Sequence, residues 1–581
     1  MNDSPALGRT TASARTTASS ARTTASVPGA TSGRTASAHT APPGRTAASR
    51  RAALRALALA GVLSGVTLSA LPPTAVAAAR TPETYALTIR HLDRQGAATD
   101  AYRTHVTGIS GPGASEAVTP HDDSGTVTVR LPRGRYLLDS TVDGREEGSG
   151  TDWIVQPRLD LDRDTTVTVD ARTTAPVDVR PRDAEARFLS SLGFVEVTHG
   201  GTTRSANVLA APGLRIAHLG PDAEPGSVRE WFDTYWAGET TDYALGYTFT
   251  SSRALTGLVR HPAPSSLATV EVRRAAPSSL ATVEVRRAAP KGETGTAFVS
   301  VQPGAGPTVG ISQPLRPRGT ATVLVTPERG RWNVEYEGPA APGTKPNRYA
   351  VNGLAVRAGA TTAHTFDNPV FGPALDTAPG ARPAGVRDGA ALSLDVPLLA
   401  DGEGHAPSAP RFHTATTTLH RNGVLIGTHR GEPGRGTFTT TPGAASYRLT
   451  ATATRGDGTA PAGRATAAWT FTSAATARPA ALPLSTVRFA PALGLDGTAP
   501  AGARVRVPVT VQGAAAGSGV RSLTVSVSTD DGTTWTRVPV ADGRAVFRNP
   551  AAGRSVSLRA ELTDTKGDTL TQTLTDAYRT R

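Results

Sequence analysis

Leu523-Thr-Val-Ser-Val-Ser-Thr-Asp-Asp-Gly-Thr-Thr-Trp-Thr-Arg-Val-Pro-Val540 decides the fold class, because these eighteen residues spell a complete β-hairpin. Leu523, Val525 and Val527 alternate with polar residues, the period of a strand with one buried face. Thr529-Asp-Asp-Gly532 is turn chemistry, since Asp tolerates and Gly freely adopts φ > 0. Trp535 and Val538 open the returning strand, and Trp535 is expected to anchor a core beside the turn.

The same pattern extends outward. The chain has 581 residues, too many for one core, and 60 Gly and 45 Pro punctuate short alternating runs. Long runs with helical spacing are absent, so the expected fold is all-β: tandem β-sandwich domains, prealbumin-like and immunoglobulin/fibronectin-like, after a disordered leader and a signal segment. The expected divisions are a leader over 1–48, a signal peptide over 49–79, and a prealbumin-like sandwich over 80–182. A larger β domain follows over 183–375, then a sandwich over 376–473, a linker over 474–481 and a last immunoglobulin/fibronectin-like sandwich over 482–581. Thr416 to Gly427 contains Asn422-Gly423, the pair preferred in a type I′ hairpin turn.

The leader repeats Arg-Thr-Thr-Ala-Ser at Arg9, Arg15 and Arg22, a polar tract too poor in apolar area to offset its ordering entropy. Ser49-Arg50-Arg51 then precedes an uncharged run, Ala56–Ala79, which meets Pro72-Pro73 and ends in small residues suited to signal peptidase. The expectation is a cleaved signal, by the Sec or the twin-arginine route, leaving an extracellular chain without a stable membrane span. A leader this long also suggests a start codon upstream of the functional one.

Charge and composition exclude several functions. Of the formal charge of +13, residues 1–80 carry +8, leaving 13 less 8, or +5, for 501 residues. Nucleic acid is therefore not an expected partner. No Cys is present, which removes disulfides and thiolate metal sites. Lys291, Lys345 and Lys566 precede Gly, Pro and Gly, so none belongs to a Walker A loop. No Gly-x-Ser-x-Gly elbow and no His-Glu-x-x-His occurs. No cofactor is expected.

Two candidate sites remain. Asp160, Asp162 and Asp164 have the spacing that opens a calcium loop but lack the later Gly and Glu, so a hairpin cap is the simpler reading. Trp231, Tyr235 and Trp236 could form a carbohydrate or peptide platform; core packing is the plainer alternative. Ala263–Ala275 recurs without change as Ala276–Ala288, a recent duplication. Because thirteen is odd, a strand continuing through both copies would swap faces, so one copy is expected to pair and the other to form a loop or edge hairpin.

Ser528–Trp535 fits the Asp-box pattern Ser-x-Asp-x-Gly-x-Thr-Trp of sialidase-like propellers, where it is a structural turn. A single copy in about a hundred residues cannot make a propeller. A broader resemblance rests on Leu131-Pro-Arg-Gly-Arg-Tyr136, Leu214–Pro221, Asn368-Pro-Val-Phe-Gly-Pro373, Ala481-Leu-Pro-Leu-Ser485, the Asp530–Trp535 turn, Ser555–Arg559 and Ala577-Tyr-Arg579. In this order they resemble the C-terminal accessory region of large secreted actinomycete-type subtilisin-family serine peptidases. The resemblance implies a non-catalytic role. The Gly-Thr-Ser-Met motif of those enzymes cannot occur, since Met1 is the only Met; His-Gly-Thr-His is absent, and Asp123-Ser-Gly125 reads as a turn. The expected function is binding or scaffolding, with a secreted peptidase, a protein substrate or a cell-envelope polymer as partner. The alternatives are the non-catalytic half of a split or truncated peptidase and a glycan-binding module.

Overall fold

The computed structural model describes residues 83–581 except 145–149, 211, 275–294, 302–309, 316–317, 339–345, 379 and 457–462. The expected leader and signal segment and the second copy of the duplication lie outside the described residues. Apart from four short 3-10 turns, every regular element among the described residues is a β-strand. The fold is all-β and multi-domain, as the alternating runs predict.

The N-terminal part is built in three layers. Thr84–Leu92 pairs with Thr126–Pro132 and Thr165–Asp170 to form a three-stranded sheet. Against it lies a seven-stranded sheet centred on Gly134–Asp143 and Thr151–Leu161. These two strands carry the continuous apolar runs Tyr136-Leu-Leu138 and Trp153-Ile-Val155, and such runs suit strands buried on both faces. Tyr136, Leu138 and Ile154 face one core with Leu87 and Ile89. Leu137, Trp153 and Val155 face another with Val195, Val208 and Phe232.

That second core is closed by another seven-stranded sheet, which contains Arg187–His199, Val228–Ala237 and Asp242–Ser251. Arg215–His218 and Leu258–Arg260, both later in sequence than residue 182, return to the first seven-stranded sheet. Beyond Asp242–Ser251, the second sheet continues through Thr320–Val325, Ala268–Arg274 and Thr361–Phe366. Here it packs on a four-stranded sheet, burying Val270, Val299, Val323, Trp332, Tyr336 and Phe366. The first copy of the duplication thus supplies an interior strand of this sheet.

The C-terminal part is joined in the same way. A nine-stranded sheet runs from Val424–Arg430 and Phe412–Arg421 through Ala445–Arg455 and Arg464–Ser473 to Thr569–Thr580, Ser555–Asp564 and Val520–Ser528. Arg464–Ser473 pairs with Thr569–Thr580 from Arg464 opposite Thr575 to Thr470 opposite Thr569, so one sheet spans the third and last sandwiches. Their cores are continuous, from Leu419, Leu449 and Trp469 to Val487, Leu558 and Leu570. Residues 474–481, read from the sequence as a linker, contain the strand Thr476–Ala481, which pairs with Gly385–Gly389.

Both hairpin turns have the backbone their residues allow. Asn422 and Gly423 sit at φ 49° and 83°, as a type I′ turn requires. In the 523–540 hairpin Val525 faces Val538 and Val527 faces Thr536. Asp530 accepts from the Thr534 amide at 2.9 Å and the Thr534 hydroxyl at 2.6 Å, while Asp531 and Gly532 take positive φ. Trp535 is only half-buried: Arg559 lies 4.0 Å over its ring and its indole N–H donates to Gly532 O at 2.9 Å. The expected core anchor is thus a clamp on its own turn.

Candidate functional site

The most chemically loaded region is the seam where the strand Thr361–Phe366 meets the loop Asp401-Gly-Glu-Gly-His405. The loop is closed on itself. Asp401 Oδ1 accepts from the amides of Glu403 at 3.1 Å and His405 at 2.9 Å, the local bonding that makes Asp a turn former. Gly402 lets it dock: its N–H donates to Asn368 O at 2.6 Å, and an added Cβ would lie 2.3 Å from the Pro369 carbonyl oxygen.

A buried cation fixes the floor. Arg488, from the strand Ser485–Phe489, donates to the carbonyls of Gly372 at 3.0 Å, Pro373 at 3.3 Å and Asp401. Burial pulls its pKa down to about 10, still well above neutrality.

On this floor stand three side chains whose donor atoms converge. His405 Nδ1 lies 3.1 Å from Asp401 Oδ2, which leaves Nε2 directed to Glu403 Oε2 at 3.9 Å. Glu403 Oε1 accepts from the Thr365 amide at 3.0 Å, so its other oxygen is held free of the backbone. His364 Nε2 is buried without a hydrogen-bond partner. Burial, and then the proximity of His405, push the His364 pKa below its ordinary value against the opposing charge of Glu403. One donor atom from each of His364, Glu403 and His405 falls within 4.8 Å of the others, and this is the only such trio among the described residues.

A cavity of about 90 Å³ adjoins the seam, lined in part by Tyr336, Tyr349, Asp367, Phe371, Arg411 and Arg455. Arg455 stacks 3.6 Å from the centre of the Phe371 ring and pairs with Asp367 at 3.0 Å, and the Tyr349 hydroxyl donates to Asp367 at 3.2 Å. The space suits a few waters rather than an organic ligand of ordinary size.

The residues singled out from the sequence lie elsewhere. Asp160 pairs with Arg135 and Arg158, each at 2.7 Å; burial would raise its pKa, but the two guanidiniums outweigh it and hold it below the ordinary value. Asp162 lies 3.5 Å from Arg163, and Asp164 accepts the Ala86 amide at 2.7 Å. The three carboxylates are thus engaged separately and do not converge. Trp231 is 6% exposed and stacked on Phe194 at 4.3 Å. Tyr235 belongs to the core around Trp332, whereas Trp236 packs against the core around Trp153 and edge-on to Phe188 at 5.2 Å. The faces of the aromatic cluster are therefore taken up by protein on two different cores.

Sequence reasoning passed over His364, Glu403 and His405. The one local signal is an acidic residue, a Gly and a His in a Gly-rich loop; His364 is 39 residues away, and no motif links them.

No protein-family model matches the chain, and no curated protein does. Among solved structures, the chain is similar over 48% of its length to the Bacillus anthracis TIE protein, at 11% identity and a TM-score of 0.11, and it spans half of that protein's length. A streptococcal ancillary pilin matches over 49% of this chain and 99% of its own, at 10% identity and a TM-score of 0.11. BcpA, the major pilin subunit of Bacillus cereus, matches over the same shares at 11% identity and a TM-score of 0.11. These likenesses assign no activity to the chain.

Proposed function

We propose that this chain is an exported, non-catalytic scaffold of tandem β domains, similar in role to the accessory region of subtilisin-type peptidases. It holds a partner at a fixed distance from other domains, the partner being a secreted peptidase, a protein substrate or an envelope polymer. The observation that carries this reading is the continuity of the sheets. Two sheets cross from one sandwich into the next, and the 401–411 loop docks on the preceding domain through Gly402 to Asn368 and Ser408 to Arg348 O at 2.8 Å. Domains joined only by linkers move relative to one another, whereas shared sheets and a common core resist it. The apolar, Ala-rich run before residue 80 supports export. No helix among the described residues is long and apolar enough to cross a membrane.

The test is a pull-down from culture supernatant with the purified chain, alongside a protease assay. The expected result is a retained partner and no peptide hydrolysis. Hydrolysis by the pure chain, abolished by a serine-directed inhibitor, would refute the reading.

A further inference from the structure

We propose that His364, Glu403 and His405 form a divalent metal site of the two-histidine, one-carboxylate type, which takes Zn²⁺ across the seam between the strand Thr361–Phe366 and the Asp401–His405 loop. As they stand, the three side chains do not satisfy one another. His405 Nε2 and Glu403 Oε2 are 3.9 Å apart, beyond hydrogen-bond range, and His364 Nε2 is buried with no partner. A cation placed among them would supply the partner that His364 Nε2 lacks and be shared by the other two.

The surroundings are those of a ligand set, not of a chance cluster. A ligating His is normally oriented by a carboxylate or carbonyl on its other ring nitrogen, and Asp401 does this for His405 at 3.1 Å. Asp401 is itself fully buried and is fixed by two loop amides. A ligating carboxylate is in turn hydrogen-bonded, and the Thr365 amide does this for Glu403 at 3.0 Å. Tetrahedral zinc with bonds of about 2.0–2.1 Å places its donors about 3.3 Å apart. The present spread of up to 4.8 Å is within about 1.5 Å of that separation.

The donor types choose the metal. Calcium and magnesium want six or more oxygens, and this site offers one carboxylate and two imidazoles. The chain has no Cys, so soft thiolate sites are excluded. Two imidazoles and a carboxylate suit zinc, with a fourth position for water beside the exposed Glu403. Because His364 comes from the strand and the other two ligands from the docked loop, the metal would pin two domains together.

The experiment uses the full chain, stripped with a chelator, then titrated with Zn²⁺ in competition with a chromogenic indicator. One equivalent should bind, and the melting temperature should rise. His364→Ala, His405→Ala and Glu403→Gln should each weaken binding by at least about tenfold and abolish the thermal shift. Melting of the metal-free variants, compared with the metal-free parent, shows whether each still folds; Glu403→Gln, the mildest change, carries the test if a His variant does not. Co²⁺ should give the intense visible bands of a four-coordinate ion in the parent and not in His405→Ala. Zinc binding that is equal in parent and variants, which is the mark of scattered surface histidines, would overturn the proposal. So would a preference for Ca²⁺ over Zn²⁺.

Discussion

Glu230 offers a sharp test of how the N-terminal layers are held together. It lies on Val228–Ala237 and is 2% exposed, flanked on its strand by Val228 and Phe232 of the core around Trp153. It accepts a hydrogen bond from the Leu255 amide at 2.8 Å. Burial pushes its pKa up to about 8 from the ordinary 4.5, and the Leu255 amide opposes the rise only in part. The folded chain therefore keeps a proton that the unfolded chain has released. Its contribution to stability is greatest below pH 4.5, falls as pH rises through neutrality and levels off above pH 8. With 1.36 kcal/mol per pH unit, the loss is on the order of 3 kcal/mol at pH 7 and of 5 kcal/mol above pH 9. Glu230→Gln keeps an acceptor for Leu255 and cannot ionise, so it should match the parent near pH 4 and exceed it at pH 8. In a multi-domain chain the suitable assay is hydrogen exchange along Val228–Ala237 as a function of pH, since it reports this layer alone. A variant whose exchange has the same pH slope as the parent, or which is less protected at pH 8, would refute the reasoning.

Three further outcomes are expected. Asp530, whose pKa its hydrogen bonds from Thr534 and then Ser528 pull down to about 2, stabilises its turn fully above pH 4 and loses that contribution as pH falls toward 2; Asp530→Ala should flatten this acid limb in a pH series of thermal melts and loosen the 528–535 turn. Gly423→Val places a β-branched residue at φ 83°, which should cost about 1–2 kcal/mol by chemical denaturation, whereas Gly423→Asn should cost much less. Because the two copies of the duplication are identical, deletion of 276–288 gives the same protein as deletion of 263–275. The remaining copy should supply the interior strand Ala268–Arg274, with a melting temperature close to the parent's; a large drop would show that both copies are needed.

The all-β class was legible because half-buried strands must alternate, and Leu523 to Val527 does so in plain sight. The Asn422-Gly423 turn was legible for a similar local reason: few residues other than Asn and Gly take two positive φ values in succession. The sharing of sheets was not. Leu137 and Leu138 are both apolar, and nothing in the pair says that one faces Leu87 and the other Val195. Thr476–Ala481 was hidden still more deeply. Its residues are mostly exposed and include Pro479, so it reads as a linker; it is a strand only because its backbone meets Gly385–Gly389 at a sheet edge, where Pro is tolerated. Backbone pairing leaves little trace in side chains.

The seam at His405 shows why a candidate site can escape sequence reasoning even when each part is ordinary. A metal motif is recognisable when helix or strand geometry fixes the spacing of its ligands, as with two His one helical turn apart. Here one ligand is on a strand and two are on a loop, and their meeting depends on the loop docking where Gly402 passes under the Pro369 carbonyl and Arg488 gathers three carbonyls beneath it. Those contacts predict a coupling that the ligands alone do not. Arg488→Met removes the guanidinium donor from the carbonyls of Gly372 and Pro373 and one of the two donors of the Asp401 carbonyl, which keeps the Gly404 amide at 2.9 Å, at a cost of about 3 kcal/mol in stability. It should also weaken zinc binding although Arg488 touches no ligand, because Asp401 orients His405 from the loop that Arg488 anchors. Unchanged zinc affinity in a folded Arg488→Met chain would mean that the loop keeps its shape without that floor. The meeting of the Asp401–His405 turn with His364 would then rest on the other docking contacts, such as Gly402 to Asn368, and not on Arg488.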